Sequence, residues 1–156
     1  MRIEAYLQQS PIVQTRRLAR RMEASVNLML KDEDVTAFQA LVLAAMFFEK
    51  RGEIQPSALA SSFETTRSNV SHCISSLEAR GLVRRKIDPN DARAVRLVLG
   101  PQGKKKAVRV VGILDMLQRQ LEAEIGVAKL QGIIRQMSEV EELCAHAADA
   151  ANAGRR

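Results

Sequence analysis

The chain has 156 residues, of which 46% are hydrophobic but only 3% aromatic, and its formal net charge is +6. Its longest apolar run, Ala40 to Phe48, is far shorter than the roughly 20 residues that a transmembrane helix needs. The N-terminus lacks the apolar core of a signal peptide, and the two cysteines form no CxxC motif or disulfide framework. We therefore expect a soluble cytoplasmic protein with one domain, or one domain with extensions, built mainly from packed helices.

The first third of the sequence predicts two helices. Ser10 and Pro11 suit the N-cap and the first position of one helix. Thr36 and Gln39 form a capping box that opens the next helix, which should end near Gly52. Apolar residues at helical spacing predict the buried stripe of this second helix. They are Phe38, Leu41, Val42, Ala45 and Phe48.

Two short helices joined by a brief polar segment follow. Pro56 suits the start of the first, and Thr65 or Thr66 suits the cap of the second. One side of the second helix is apolar (Val70, Cys73, Ile74 and Leu77) and the opposite side is polar and small. This pattern predicts a helix-turn-helix whose second helix can enter a groove of duplex DNA. The polar residues that we expect to contact DNA there are Thr66, Arg67, Ser68, Asn69, Ser71, His72 and Ser75.

A β-hairpin and further helices complete the pattern. Gly81 stands where a helix C-cap glycine belongs, and the runs 82–87 and 94–99 predict two strands joined by the turn sequence DPND. Gly100 and Pro101 restart a helix, whose amphipathic pattern continues to Ile125. We expect Ser138 to open the last helix as part of a second capping box.

Almost all of the net charge lies within one segment. Residues 67–106 hold 10 basic and 3 acidic side chains, a net charge of +7, whereas residues 1–66 are neutral and residues 107–156 carry −1. A short basic patch in an otherwise neutral protein is typical of a duplex-binding surface. We expect these ten basic side chains to supply most of the affinity for phosphate.

The segment SALASSFETTRSNVSHCISSLEARGLVRRKIDPNDARAVRLVLGPQG resembles the winged helix-turn-helix of the MarR family of transcription regulators. The resemblance rests on the L-E-x-R-G-L run from Leu77 to Leu82, the basic strand VRRK, the wing sequence DPNDAR and a helix-opening glycine, Gly103. It implies a mainly α fold with a small β-wing for the single MarR-like chain, residues 1–156. The winged helix-turn-helix part would span residues 36–100, with dimerisation helices over residues 1–30 and 101–153.

The resemblance also implies a function. We expect a homodimeric, sequence-specific regulator, a repressor, that binds double-stranded DNA at a pseudo-palindromic operator and needs no cofactor. Arg93 would enter the minor groove at the wing tip, positioned by Asp91, and Ser57 would bind phosphate at a helix start. The full set of wing residues expected to contact DNA is Arg84, Arg85, Lys86, Asp91 and Arg93.

Three departures from the family pattern affect this interpretation. Gly100 replaces a threonine of the family, which we expect to alter only a helix cap. His72 replaces the usual basic residue in the middle of the recognition helix, so the bases that it reads should differ. The segment between Gly103 and Ser138 is longer than usual, so the dimerisation helices should differ as well.

Other classes of function stay open at this point. A sequence-nonspecific, nucleoid-type DNA-binding protein or a winged-helix protein-interaction module would have a similar sequence. Family members often bind small anionic or phenolic effectors between the dimer helices and the winged domains; regulation by such a ligand, by another protein or by neither is open. We expect no enzyme, because the sequence lacks the G-x-S-x-G, P-loop and HExxH motifs. The two histidines are too scattered for a metal site, and we expect Cys73 and Cys144 to pack as small apolar residues.

Overall fold

The computed structural model describes residues 3–50, 52–88 and 91–154, and for residues 88 and 91–94 it describes the backbone alone. The described residues form seven α-helices, a short 3₁₀ helix at Lys31–Glu33 and a two-stranded antiparallel sheet. The helices are α1 (Ile3–Gln9), α2 (Pro11–Met29), α3 (Ala37–Phe48), α4 (Pro56–Ser62), α5 (Arg67–Ala79), α6 (Pro101–Ile125) and α7 (Val127–Ala153). The strands are β1 (Val83–Asp88) and β2 (Asp91–Leu99). The predicted mainly α fold with a small β-wing is therefore confirmed.

Several helices begin where local sequence signals place them. Thr36 Oγ1 accepts a hydrogen bond from the Gln39 amide (3.3 Å), and Gln39 Oε1 accepts one from the Thr36 amide (3.1 Å), which is the predicted capping box. Pro11, Pro56 and Pro101 are the first residues of α2, α4 and α6. A proline is well tolerated at this position because the first amides of a helix have no partner within it.

The C-terminus of α5 is closed by a Schellman motif. Gly81 adopts a left-handed conformation, with φ of 67°. Its amide donates to the carbonyl oxygen of Glu78 (2.8 Å), and the Leu82 amide donates to that of Leu77 (3.0 Å). Both leucines are buried, so the turn that ends the helix also anchors β1 in the core.

The register of the hairpin decides which side chains share a face. Val83 pairs with Leu99, and Arg85 pairs with Leu97. Directly opposed residues of an antiparallel pair point to the same side of the sheet. Leu97 also forms an isolated β-bridge with Ile54, with N–O distances of 2.8 and 3.1 Å, which ties the segment before α4 to the sheet.

Residues 20–115 form one compact unit with a single hydrophobic core. The predicted apolar side of α5 is confirmed, because all four of its residues are buried. The stripe predicted for α3 was wrong at Leu41 and Phe48, which are 43% and 66% exposed, while Leu43 and Met46 are buried instead. Because α3 is apolar on nearly all sides, its periodicity does not reveal which face turns inward.

Helix α6 lies unusually close to the backbone that follows α5. A Cβ atom built on Gly103 would lie 1.8 Å from the carbonyl oxygen of Leu82, so only glycine fits. A Cβ on Gly100 would lie 2.7 Å from the carbonyl oxygen of Gly81, and the Gly100 amide donates to that of Leu82. The expectation that Gly100 affects only a helix cap was therefore wrong, because this position is also restricted by backbone packing.

A half-buried ion cluster joins the 3₁₀ helix to α6. The carboxylate of Glu33 accepts bonds from Lys106 Nζ (3.2 Å) and Arg109 Nε (2.8 Å), and the Glu33 side chain is only 14% exposed. The Arg109 hydrogen bond is the main cause that lowers the pKa of Glu33, with Lys106 adding to it and desolvation opposing it. The carboxylate therefore stays charged and holds both basic side chains.

Residues 3–19 and 116–154 form a second compact unit. It contains α1, the first part of α2, the last part of α6 and α7. No sequence signal predicted α1. Gly126, with φ of 90°, separates α6 from α7.

The capping box predicted at Ser138 was wrong: α7 continues through this residue, whose hydroxyl donates back to the Ile134 carbonyl (3.2 Å). Among the described residues, no helix is long and apolar enough to cross a membrane.

Candidate nucleic-acid interface

Helix α5 presents a polar face to solvent and an apolar face to the core. Val70, Cys73, Ile74 and Leu77 are buried, which fixes the rotation of the helix about its axis. The other side contains the predicted recognition residues, and all of them are exposed: Thr66, Arg67, Ser68, Asn69, Ser71, His72 and Ser75. Because no bulky apolar side chain lies on this face, the helix can approach the edges of bases in a major groove.

The N-terminus of α5 is well ordered by its own polar residues. Thr66, one of the two predicted caps, accepts a bond from the Asn69 amide (3.1 Å). The Asn69 side chain in turn contacts Thr65 Oγ1 (3.0 Å), so its amide group is held against the turn. Glu64 closes this turn with a φ of 47°. The exposed, capped N-terminus is favourable for phosphate because its free amides carry partial positive charge.

Ser57, the predicted phosphate contact, is exposed at the second position of α4. Its hydroxyl lies 3.5 Å from Gln55 Oε1, a weak contact that leaves the side chain accessible. The structure therefore places Ser57 at the surface, as the prediction requires.

The basic residues of β1 divide between the two faces of the sheet. Arg85 lies on the side that packs against α5, where its guanidinium contacts Glu78 Oε2 (3.1 Å) and Ser75 Oγ (3.3 Å). Arg84 and Lys86 lie on the opposite side, and Lys86 pairs with Glu53 (3.4 Å). The sequence analysis groups Arg84, Arg85 and Lys86 as wing residues expected to contact DNA, but the alternation of strand side chains places Arg85 on the other face from its two neighbours.

The wing tip is described only in part. Asp88 pairs with Asp91 across residues 89 and 90, which confirms where the chain reverses. The backbone of Asp91 and Arg93 belongs to β2. The side chains of Asp91 and Arg93, and the turn residues Pro89 and Asn90, lie outside the described residues, so their predicted contacts stay predictions.

Five of the nine basic side chains that the structure describes in the +7 segment form ion pairs within the chain. The pairs are Arg80–Asp34, Arg85–Glu78, Lys86–Glu53, Arg96–Glu53 and Lys106–Glu33. Within the part of the chain that the structure describes, Arg67, Arg84, Lys104 and Lys105 have no such partner. These ion pairs reduce the positive charge that five of the side chains can offer to phosphate, and the expected contribution of the basic set to affinity stays a prediction.

A groove of about 810 Å³ lies beside the outer face of the hairpin. Its charged lining consists of Arg84, Lys86, Lys104 and Lys105 against Glu49 and Glu53. Its apolar lining includes Met46, Phe47, Val98, Leu99 and Val108. The sequence did not reveal this groove, because its lining comes from α3, both strands and α6. The combination of an apolar wall and excess positive charge suits a small organic anion.

The two cysteines differ in their surroundings. Burial raises the pKa of the Cys73 thiol to about 11, so it remains protonated and packs as a small apolar group, as expected. Cys144 is exposed on α7, whereas we expected it to pack. Among the described residues, no group of histidine, cysteine, aspartate and glutamate side chains could hold a metal ion.

Comparisons with known proteins agree with this architecture. The MarR family model matches residues 48–95, from the end of α3 into β2. The S. aureus MepR–DNA complex has a TM-score of 0.75 at 18% identity, over 84% of this chain and 95% of that chain. A mutant MarR from E. coli complexed with operator DNA has a TM-score of 0.72 at 19% identity, over 86% and 96%. The transcriptional regulator BldR from Sulfolobus solfataricus has a TM-score of 0.68 at 23% identity, over 89% and 99%.

No curated protein sequence matches the chain. The structural likeness nevertheless extends over most of the chain. Residues 48–95 therefore match the MarR family model, and this chain has the winged helix-turn-helix fold of the similar solved structures.

Proposed function

We propose that this chain is a homodimeric transcription regulator, a repressor, that binds double-stranded DNA with α5 in the major groove. The observation that carries the proposal is the exposed polar face of α5, which the buried stripe on its other side orients outward. Ser68, Ser71 and His72 supply small hydrogen-bonding groups for base edges. Arg67 and the capped N-terminus supply contacts to phosphate. The fold shared with two regulators solved on DNA supports this interpretation.

Salt dependence of duplex binding tests the phosphate contacts. Arg67 begins α5 and has no ion-pair partner among the described residues, whereas Arg80 at its other end is bound to Asp34 (2.9 Å). A plot of log affinity against log salt concentration has a negative slope, and each lost phosphate contact makes this slope less steep by about 0.9. Arg67→Ala should therefore make the slope less steep by about this amount. The matched variant Arg80→Ala should leave it unchanged. Equal slopes for both variants and wild type would contradict the assignment.

Selection of bound sequences from random duplex tests specificity. A regulator with two-fold symmetry should recover a pseudo-palindrome whose half-sites lie about one helical turn apart. His72→Ala should then reduce discrimination between operator and random duplex more than it reduces affinity for random duplex. Recovery of no preferred sequence would favour a nucleoid-type protein. The absence of any duplex binding would favour a protein-interaction module.

The second compact unit supports a homodimer. Within the described residues 3–19 and 116–154, only Ser10 is buried. Large apolar side chains along α7 are exposed instead: Ile133 (42%), Ile134 (64%), Met137 (50%), Val140 (37%) and Leu143 (68%). Monomers rarely expose an apolar stripe of this length, and such a patch typically marks an association surface. We propose that a second copy of the chain covers it, and that its burial stabilises the unit.

Light scattering combined with size exclusion tests the dimer. Ile133→Glu places a charge within the apolar stripe of α7 and should shift the protein from dimer to monomer at micromolar concentration. Arg135→Glu is the matched control, because Arg135 is exposed on the other side of the same helix. A wild-type monomer, or dissociation by both variants alike, would argue against this interface.

We propose that the groove beside the hairpin takes the effector, a small aromatic carboxylate. Arg84, Lys104 and Lys105 face the groove without ion-pair partners among the described residues, and Phe47 offers a ring surface. Benzoate should raise the melting temperature and change operator affinity, whereas neutral benzyl alcohol should do neither. Lys104→Gln should weaken the benzoate response without altering the fold, because no residue that the structure describes forms an ion pair or hydrogen bond with this side chain. Equal responses to both compounds would contradict an anion site.

A further inference from the structure

The base of the wing is joined to the recognition helix by a compact polar contact. Arg85 NH1 lies 3.1 Å from Glu78 Oε2, and Arg85 NH2 lies 3.3 Å from Ser75 Oγ. The second carboxylate oxygen of Glu78 accepts a bond from the backbone amide of Arg85 (3.3 Å). One residue of β1 thus contacts α5 through both its backbone and its guanidinium group.

The position of these residues limits what each can do. Glu78 is the only acidic residue of α5, and it neutralises Arg85 on the sheet face that packs toward the core. Both side chains are partly shielded, with exposures of 39% for Arg85 and 37% for Glu78. An arginine held at this geometry has less charge and fewer donors available for a phosphate than an unpaired one.

Ser75 lies on the same face of α5 as Ser68 and His72, one turn nearer the C-terminus. Its oxygen already accepts a bond from Arg85. The guanidinium therefore occupies a hydrogen-bonding site at the C-terminal end of the reading face, although Ser75 itself is exposed. Residues at the N-terminal end of a recognition helix are those that usually contact base edges.

We propose that Arg85 is a positioning residue that fixes the wing against the recognition helix through Glu78 and Ser75, and is not a phosphate contact. This proposal rests on the proposed DNA-binding function. β1 extends from Arg85 to the hairpin turn at about 3.3 Å per residue, so a small rotation at its base moves the wing tip along the DNA. Ser75 accordingly belongs to this contact and not to the set of base-reading residues.

Charge reversal separates the two roles of Arg85. Arg85→Ala and Glu78→Gln should each weaken operator binding by roughly tenfold, within the range of coupling that contacting residues show. The weakening by Glu78→Gln is diagnostic, because this change makes the protein more positive. The double variant Glu78→Arg with Arg85→Glu should restore affinity to near the wild-type value, and Arg85→Ala should keep the wild-type salt slope. Arg84→Ala, the neighbour on the other face, is the control and should show no coupling to Glu78→Gln.

The opposite pattern would overturn the proposal. If Arg85 contacts phosphate, Arg85→Ala makes the slope of log affinity against log salt less steep by about 0.9. Glu78→Gln would then tighten DNA binding. The charge-reversed double variant would bind DNA no better than Arg85→Ala. Melting temperatures of all variants show whether a loss of binding comes from unfolding. A wild-type protein that binds no duplex would contradict the proposed function; additive melting shifts for Glu78→Gln and Arg85→Ala would then overturn the contact itself.

Discussion

Replacing Gly103 by alanine should destabilise this fold far more than the addition of one methyl group normally does. The new Cβ would lie 1.8 Å from the carbonyl oxygen of Leu82 and 2.8 Å from its carbonyl carbon. Real Cβ atoms essentially never approach another heavy atom within 3.0 Å, so α6 and the backbone of Leu82 would have to separate by about 1 Å. Neither side of this contact is a flexible side chain that could move aside.

The expected magnitude follows from what α6 holds in the core. Ala107 and Val110, one and two turns beyond Gly103, are both 0% exposed. Overpacking of a tight contact lowers the free energy of unfolding by about 1–3 kcal/mol. Loosening the packing of a buried valine lowers it by about 1.5–3 kcal/mol more. We therefore expect Gly103→Ala to lower the free energy of unfolding by about 3 kcal/mol or more. For a chain of this size, that corresponds to a fall in melting temperature of roughly 6–12 °C.

Gly112→Ala is the matched control in the same helix. A Cβ at Gly112 would meet no heavy atom within 4 Å. Alanine is the better helix former by about 0.5–1 kcal/mol, so this variant should melt slightly above wild type. Circular dichroism during heating measures both changes. If Gly103→Ala melts within 2 °C of wild type, or if both variants shift in the same direction, the close approach of α6 to Leu82 is not as described.

Three further predictions concern single residues. Because Arg109 and Lys106 lower the pKa of Glu33 below its ordinary 4.5, this carboxylate should stabilise the fold fully above that pH. The stability lost in Glu33→Gln at pH 7 should therefore disappear as the pH falls through the lowered pKa, which urea unfolding at several pH values measures. Thr36→Ala should lower the free energy of unfolding by about 1 kcal/mol in the same assay, while Thr36→Ser, which keeps the capping oxygen, should change it little. Burial raises the pKa of the Cys73 thiol to about 11 from the ordinary 9.0, so the folded protein should be alkylated at Cys73 about 100-fold more slowly than the urea-unfolded protein. Mass spectrometry measures both rates, and equal rates would contradict the burial of this thiol.

Local signals in the sequence predicted much of the fold because each acts within a few residues. The capping box at Thr36, the prolines that begin α4 and α6, and the left-handed Gly81 all need only their neighbours to act. The same reasoning failed at Ser138, where the capping pattern lies inside a continuous helix. A capping pattern permits a helix to begin but does not require it, so the surrounding helix propensity decided the outcome.

The amino-acid sequence predicts most of the helices, both strands, the apolar side of α5 and the concentration of positive charge in residues 67–106, but not α1. Which of those charges remain available depends on how distant segments pack together. Glu33 and Glu53 lie far in sequence from the basic residues that they pair with. Side chains of β1 alternate between the two faces of the sheet, so Arg85 contacts α5 whereas Arg84 lies beside the groove. Ion pairing depends on distances of a few ångströms between segments, and no count of charges along a chain contains these distances. For the same reason, no pattern in the sequence indicates that Gly103 leaves room for the backbone of Leu82.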